Sequence, residues 1–145
     1  MRNYWVFTIG TAEYAPPEDW LAAWRHHTEE MWFPPNKRPT GVKAGDRAVI
    51  HGTLRRGFIA VVEVVSTEPE RNTPEDEAEA NRWPWKLRYK LLVAIRADSR
   101  APSLEDVGWE NPRSLLRQPH KSMSREMYER IADAIIGAAG EAVAA

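Results

Sequence analysis

The 145-residue sequence contains no cysteine, which excludes both a disulfide framework and a thiolate metal site. No apolar run approaches the ~18 residues that cross a bilayer, and the first residues lack the apolar core of a secretory signal. We therefore expect no membrane partner and a cytoplasmic location. The net charge of −1 argues against a protein that coats nucleic acid through bulk charge. The length favours a single domain over residues 1–145.

Motifs for catalysis and phosphate binding are also missing. The eight glycines are scattered and form no phosphate-binding loop, and no serine stands in a Gly-x-Ser-x-Gly elbow. The adjacent His26 and His27 do not have the i, i+4 spacing of a helical metal pair. We therefore expect no metal, no cofactor and no enzymatic activity. Three titratable residues keep open the alternative of a small enzyme acting on a nucleotide or amide: His51, Glu63 and Lys86.

Tryptophan, in contrast, is abundant, with seven in a short chain. Large aromatic rings stack on nucleobases and on cations. Three tryptophans fall inside predicted strands or helices and are expected in the core: Trp5, Trp20 and Trp24. Four fall in predicted loops, where binding residues concentrate: Trp32, Trp83, Trp85 and Trp109. For Trp85 and Trp109 the sequence leaves open whether they lie at a pocket rim or in the core.

Charge is unevenly distributed along the chain. Two stretches, Lys37–Arg56 and Arg113–Arg125, are rich in basic residues and contain a single acid, Asp46. The compensating acids concentrate in a segment at about 68–81, which we expect to be an exposed acidic loop. The basic residues are candidates for contacts with a nucleic-acid backbone: Lys37, Arg38, Arg55, Arg56, Arg117 and Lys121.

The order of secondary structure predicts an α+β fold. Alternation predicts a strand over Tyr4–Ile9, and Pro16-Pro17 precedes a predicted helix that includes Trp20, Leu21, Trp24 and Met31. Further strands are predicted at Arg47–Ile50, Phe58–Val65 and Leu87–Ile95. A last helix at about 125–140, capped by Ser124, has an expected inward face of Met127, Ile131, Ile135 and Ala138. Consecutive strands indicate a curled, antiparallel or mixed sheet.

Several segments, in order, resemble the EVE domain of the PUA-like group, which also contains the YTH and ASCH domains. They cover most of the chain: Tyr4-Trp5-Val6-Phe7, Trp20, Met31-Trp32-Phe33 with Pro35-Asn36-Lys37-Arg38, Val42-Lys43-Ala44-Gly45-Asp46-Arg47, Gly57–Val64, Trp83-Pro84-Trp85-Lys86-Leu87-Arg88 and Ser122–Tyr128. Phe33 and Gly10 depart from the pattern, where relatives often have Gly and a polar residue such as Asn. The ASCH signature Gly-x-Lys-x-x-Glu-x-Arg is absent.

The resemblance implies a PUA-like mixed β-barrel of five to six strands flanked by helices. It also implies a non-enzymatic module that recognises a modified base, for example a methylated one, of DNA or RNA in an aromatic pocket. By the same resemblance, Trp32 and Trp83 form the cage, Thr8, Ile9 and Gly10 line its floor, and His51 contacts the ligand.

A third hypothesis is a protein-interaction domain that uses exposed tryptophans such as Trp83 and Trp109. The sequence favours the base-binding module, acting as a monomer, over this alternative.

Overall fold

A computed structural model describes residues 2–9, 30–52, 57–95, 100–109 and 120–139. In chain order the elements are β1 (Tyr4–Ile9), β2 (Glu30–Phe33), β3 (Arg47–Gly52), β4 (Gly57–Val64), β5 (Glu70–Arg71), α1 (Glu77–Arg82), β6 (Trp85–Ala94), β7 (His120–Met123) and α2 (Arg125–Ala139). The predicted core residues Trp20 and Trp24 lie outside the described residues.

One mixed sheet contains all of the described strands, in the order β2-β6-β4-β3-β1-β7, with β5 pairing beside β6. The β1–β3 pair is parallel, and the other pairs are antiparallel. The prediction of an α+β fold with a mixed sheet is therefore confirmed.

The sheet curls so that side chains from its two edge strands reach the same core. Phe33, on edge strand β2, packs edge-on against Phe7 of β1 with ring centroids 5.9 Å apart. The same ring lies 5.8 Å from the imidazole of His120 on the opposite edge strand, β7. Because both edges contribute buried rings to one core, the strands enclose a half-barrel.

Helix α2 covers one face of the curled sheet. Ser124 caps it, because its Oγ accepts the Met127 N–H at 3.1 Å. Ile131 and Ile135 are fully buried, as the sequence predicts. The ring of Tyr128 packs 4.7 Å from that of Tyr4, which joins the start of the helix to β1.

Asp46 fixes the turn that leads into β3. Its buried carboxylate accepts hydrogen bonds from the N–H groups of Asn3 and Lys43 and from the indole Nε1 of Trp5, at 2.9 to 3.0 Å. Gly41, with φ +92°, lies against the Trp5 ring. Trp5 is therefore a half-buried structural residue, in line with its predicted place at the core.

Two local predictions are wrong. Met31 does not continue a helix, because Met31 and Trp32 lie in β2, which pairs with β6. The segment at 68–81 is mostly exposed but is not simply a loop, because it contains β5 and nearly all of α1. Helix α1 begins at an Asp76 cap, whose Oδ1 accepts the Ala78 N–H at 2.9 Å.

Candidate functional site

Two polar side chains meet at the carboxyl ends of the parallel strands β1 and β3. Thr8 and His51 are register partners, so their side chains lie on the same face of the sheet. His51 is 3% exposed, and Phe58 of β4 packs against its ring edge-on at 5.0 Å. The structure therefore brings together two of the residues that the sequence proposes for the pocket.

These two side chains carry three buried polar atoms that lack a hydrogen-bond partner within the described part of the chain. The atoms are Thr8 Oγ1, His51 Nδ1 and His51 Nε2. Buried polar groups are normally satisfied, and leaving one unpaired costs about 1–3 kcal/mol. Such a cluster is typical of a site that a ligand completes.

Burial lowers the pKa of His51 to about 4. The ring is therefore neutral at pH 7, with one nitrogen donating and the other accepting a hydrogen bond. Together with the Thr8 hydroxyl, the neutral His51 ring offers hydrogen-bond donors and an acceptor to the polar edge of a planar ligand.

Trp32 lies on the half-exposed face of β2, opposite the buried face that carries Met31 and Phe33. Its Nε1 donates to the Glu30 carboxylate at 2.9 Å, and Lys86 lies 3.4 Å from the other oxygen of that carboxylate. The indole is thus held in place by its own strand and by β6.

Trp83 follows α1 directly and is also half-exposed. Its N–H donates to Glu79 O, and its carbonyl accepts from Asn72 Nδ2, both at 2.8 Å. The Arg82 guanidinium lies 5.4 Å from its ring centroid. The ring contacts found among the described residues do not join Trp83 to Trp32. Rings that sandwich a base are separated by that base, so the cage stays a prediction.

The other predicted pocket and backbone residues are scattered or lie outside the described residues. Ile9 closes β1 opposite Gly52. Lys37 and Arg38 follow β2, and Lys121 lies in β7 opposite Val6. Four predicted site residues fall outside the described ranges: Gly10, Arg55, Arg56 and Arg117.

Trp85 is a residue whose role the sequence leaves undecided. Its half-buried ring packs against the core, while the guanidinium carbons of Arg38 and Arg71 lie 4.5 and 4.8 Å from its centroid. Arg71 sits in the predicted acidic segment, so sequence reasoning missed it. Trp109 also packs, half-buried, against the core.

Glu63 and Lys86, two of the residues that suggested a small enzyme, form ion pairs with different partners. Glu63 forms ion pairs with Lys90 at 3.2 Å, with Arg47 at 3.4 Å and with Arg2 at 3.6 Å. Burial acts to raise the pKa of Glu63, but Lys90 and then Arg47 outweigh it and hold the pKa below its ordinary value. Lys86 pairs with Glu30 instead. The described residues contain no cluster of side chains suited to a metal.

A surface cleft of about 440 Å³ lies at the other end of β1, bounded by Arg2, Trp5, Ser122 and Arg125 among others. None of the predicted pocket residues line it. Among the described helices, none is long and apolar enough to span a membrane.

Three solved structures share this fold at low sequence identity. They are the NMR structure of Rpa0253 from Rhodopseudomonas palustris (12% identity, 92% of each chain, TM-score 0.53), the crystal structure of Atu2648 from Agrobacterium tumefaciens (19% identity, 91% of this chain and 92% of that one, TM-score 0.52) and a hypothetical protein from Leishmania major (14% identity, 92% and 94%, TM-score 0.55). No family model and no curated protein matches the chain. The likeness establishes a mixed α+β fold with a curled sheet.

Proposed function

We propose that this chain is a PUA-like, EVE-type module that binds a modified nucleobase of DNA or RNA without enzymatic activity. The observation that carries the proposal is the position of Thr8 opposite His51, where three buried polar atoms have no hydrogen-bond partner among the described residues. A base edge supplies complementary donors and acceptors, and these would repay the cost of the unpaired groups.

Stacking supplies the rest of the binding energy. Trp32 is half-exposed and fixed by Glu30, so little side-chain entropy is lost when a base stacks on it. Stacking on one aromatic ring contributes roughly 1–3 kcal/mol per base. Trp83 is the second cage residue of the proposal.

The alternatives have less support. Glu63 and Lys86 belong to separate ion pairs, which disfavours an acid–base pair in an enzyme. Trp109 packs against the core, which disfavours a protein contact made through it. A monomeric state and a cytoplasmic location are part of the proposal.

Tryptophan fluorescence tests the proposal. We would titrate methylated and hydroxymethylated nucleosides, each against its unmodified form, into the wild-type chain and into Thr8→Val. The variant keeps the shape of Thr8 and removes its hydroxyl. We expect one modified base to bind at least tenfold more tightly than its plain form, and Thr8→Val to weaken that binding. Equal binding of every modified and plain pair would refute base recognition.

A matched control separates the pocket from general effects. Thr40, exposed in the segment after β2, lies outside the proposed pocket. Thr40→Val should leave nucleoside binding unchanged. A similar loss in both variants would show that the effect of Thr8→Val is not local to the site.

A further inference from the structure

Most arginines described in the structure are neutralised by a carboxylate. Their guanidinium nitrogens lie between 2.7 and 3.6 Å from an Asp or Glu oxygen: Arg2, Arg47, Arg88, Arg100, Arg125 and Arg130. Arg38 and Arg71 differ, because neither forms an ion pair with a carboxylate of the described residues. Both instead lie over the ring of Trp85.

Three separate segments bring these residues together. The β5–β6 register places Arg71 opposite Trp85, and the β2–β6 register places Phe33 opposite the same tryptophan. Arg38 belongs to the segment that leaves β2, where the Lys37 N–H closes a turn onto Pro34 O at 3.1 Å. The strand pairing therefore positions both arginines at one ring.

The two guanidinium groups form a concentrated positive charge. Each lies within reach of the same ring centroid, at 4.5 and 4.8 Å, and both side chains are exposed. Like charges repel one another, and an anion bound by both guanidinium groups lowers that cost. Lys37, the residue before Arg38, has its charge close enough to His120 of β7 to affect it. Burial lowers the pKa of His120, and the charge of Lys37 lowers it further.

We propose that Arg38 and Arg71 form a phosphate clamp on Trp85 that holds the backbone of the single strand carrying the modified base. The clamp rests on the proposed function, because the strand that it would hold is the one that carries the bound base. Guanidinium forks donate parallel hydrogen bonds to phosphate oxygens, and stacking on the indole holds both forks in position. Trp85 thus orients the arginines and does not stack on a base itself.

Salt dependence of oligonucleotide binding tests the clamp. The probe is a fluorescent single strand with one modified base, measured by anisotropy against Arg38→Gln, Arg71→Gln and the control Arg100→Gln. Arg100 is an exposed arginine paired with Asp106, so the control makes the same charge change. We expect each clamp variant to weaken binding roughly three- to tenfold at low salt and to reduce the log–log salt slope by about 0.7. The control should do neither.

A second arm uses the free modified nucleoside, which has no phosphate. Its affinity should be the same for wild type and for both clamp variants. Equal loss of nucleoside and oligonucleotide binding would overturn the clamp, because the arginines would then shape the base pocket. Identical salt slopes in all four proteins would also overturn it, while intact nucleoside binding would leave the proposed function standing.

Two further outcomes would show that the chain binds a strand without recognising its base, or that it binds free phosphate. If the wild type binds the strand equally well with and without the modification, and the clamp variants weaken both complexes, the clamp stands and recognition of the modification fails. If inorganic phosphate competes as well as the oligonucleotide does, and strand length has no effect, the site binds free phosphate and the backbone proposal is overturned. Thermal melts of each variant confirm that the fold is retained.

Discussion

The proposed site contains a residue in an unfavourable environment, the buried His51. A buried histidine with two unsatisfied nitrogens is costly, and His51 has no charged neighbour among the described residues that would compensate it. By contrast, the buried carboxylate of Asp46 accepts three hydrogen bonds. The difference between the two residues is what distinguishes a structural polar group from a candidate ligand contact.

His51 makes the stability depend on pH. Its pKa is about 4 in the folded chain and near 6.5 in the unfolded chain, so between these values only the unfolded state binds the proton. Stability therefore falls as the pH is lowered through this window, by roughly 1–2 kcal/mol between pH 7 and pH 5. Urea unfolding at both pH values should show a smaller loss in His51→Phe than in the wild type. Parallel losses would contradict burial of a neutral ring.

A glycine in β4 is required by close packing and not by its φ angle. A Cβ on Gly57 would lie 2.6 Å from Ala101 Cβ and 2.7 Å from Pro102 O. Because part of this contact is backbone, Gly57→Ala should lower the free energy of unfolding by about 1–3 kcal/mol. Gly137, on α2, has open space around it, so Gly137→Ala should raise stability by about 0.5–1 kcal/mol. Denaturant melts of the pair check both signs.

At the scale of elements, β2 shows what a local pattern misses. The spacing of Trp20, Leu21, Trp24 and Met31 indicates a helix, but the four-residue strand Glu30–Phe33 is selected by pairing with β6, far along the chain. Strands with strong internal alternation, such as β1 and the exposed half of β6, are predictable from sequence alone. Short strands that depend on a distant partner are not.

Substitutions on the two faces of β2 should affect different properties, stability on the buried face and binding on the half-exposed face. Phe33 is fully buried, so Phe33→Ala should cost about 3–5 kcal/mol of stability. Trp32 is half-exposed, so Trp32→Ala should cost much less stability but weaken binding of the modified nucleoside by about 1–3 kcal/mol. Unfolding and fluorescence titration of the two variants measure this separation. A Trp32→Ala variant that binds as tightly as the wild type would remove Trp32 from the site.

At the scale of the whole molecule, curling of the sheet creates contacts that no local pattern contains. Phe33 packs against His120 only because the sheet curls, and Arg38 and Arg71 lie over one tryptophan ring only because β2 and β5 both pair with β6. The sequence predicts the α+β class, most strands and the last helix from periodicity. It names Thr8 and His51 through a family resemblance. The arginine pair on Trp85 depends on strand register and was beyond sequence reasoning.

The central claim is that a modified base completes the hydrogen bonds of Thr8 and His51. Nitrogen-15 NMR of the His51 ring, recorded while the tightest-binding modified nucleoside is added, tests it most directly. We expect the resonances of the His51 ring nitrogens to shift at saturation, while the unmodified nucleoside at the same concentration leaves them near their free positions. If the modified nucleoside saturates the protein and both nitrogen resonances stay unchanged, the base binds elsewhere and Thr8 and His51 do not form its site.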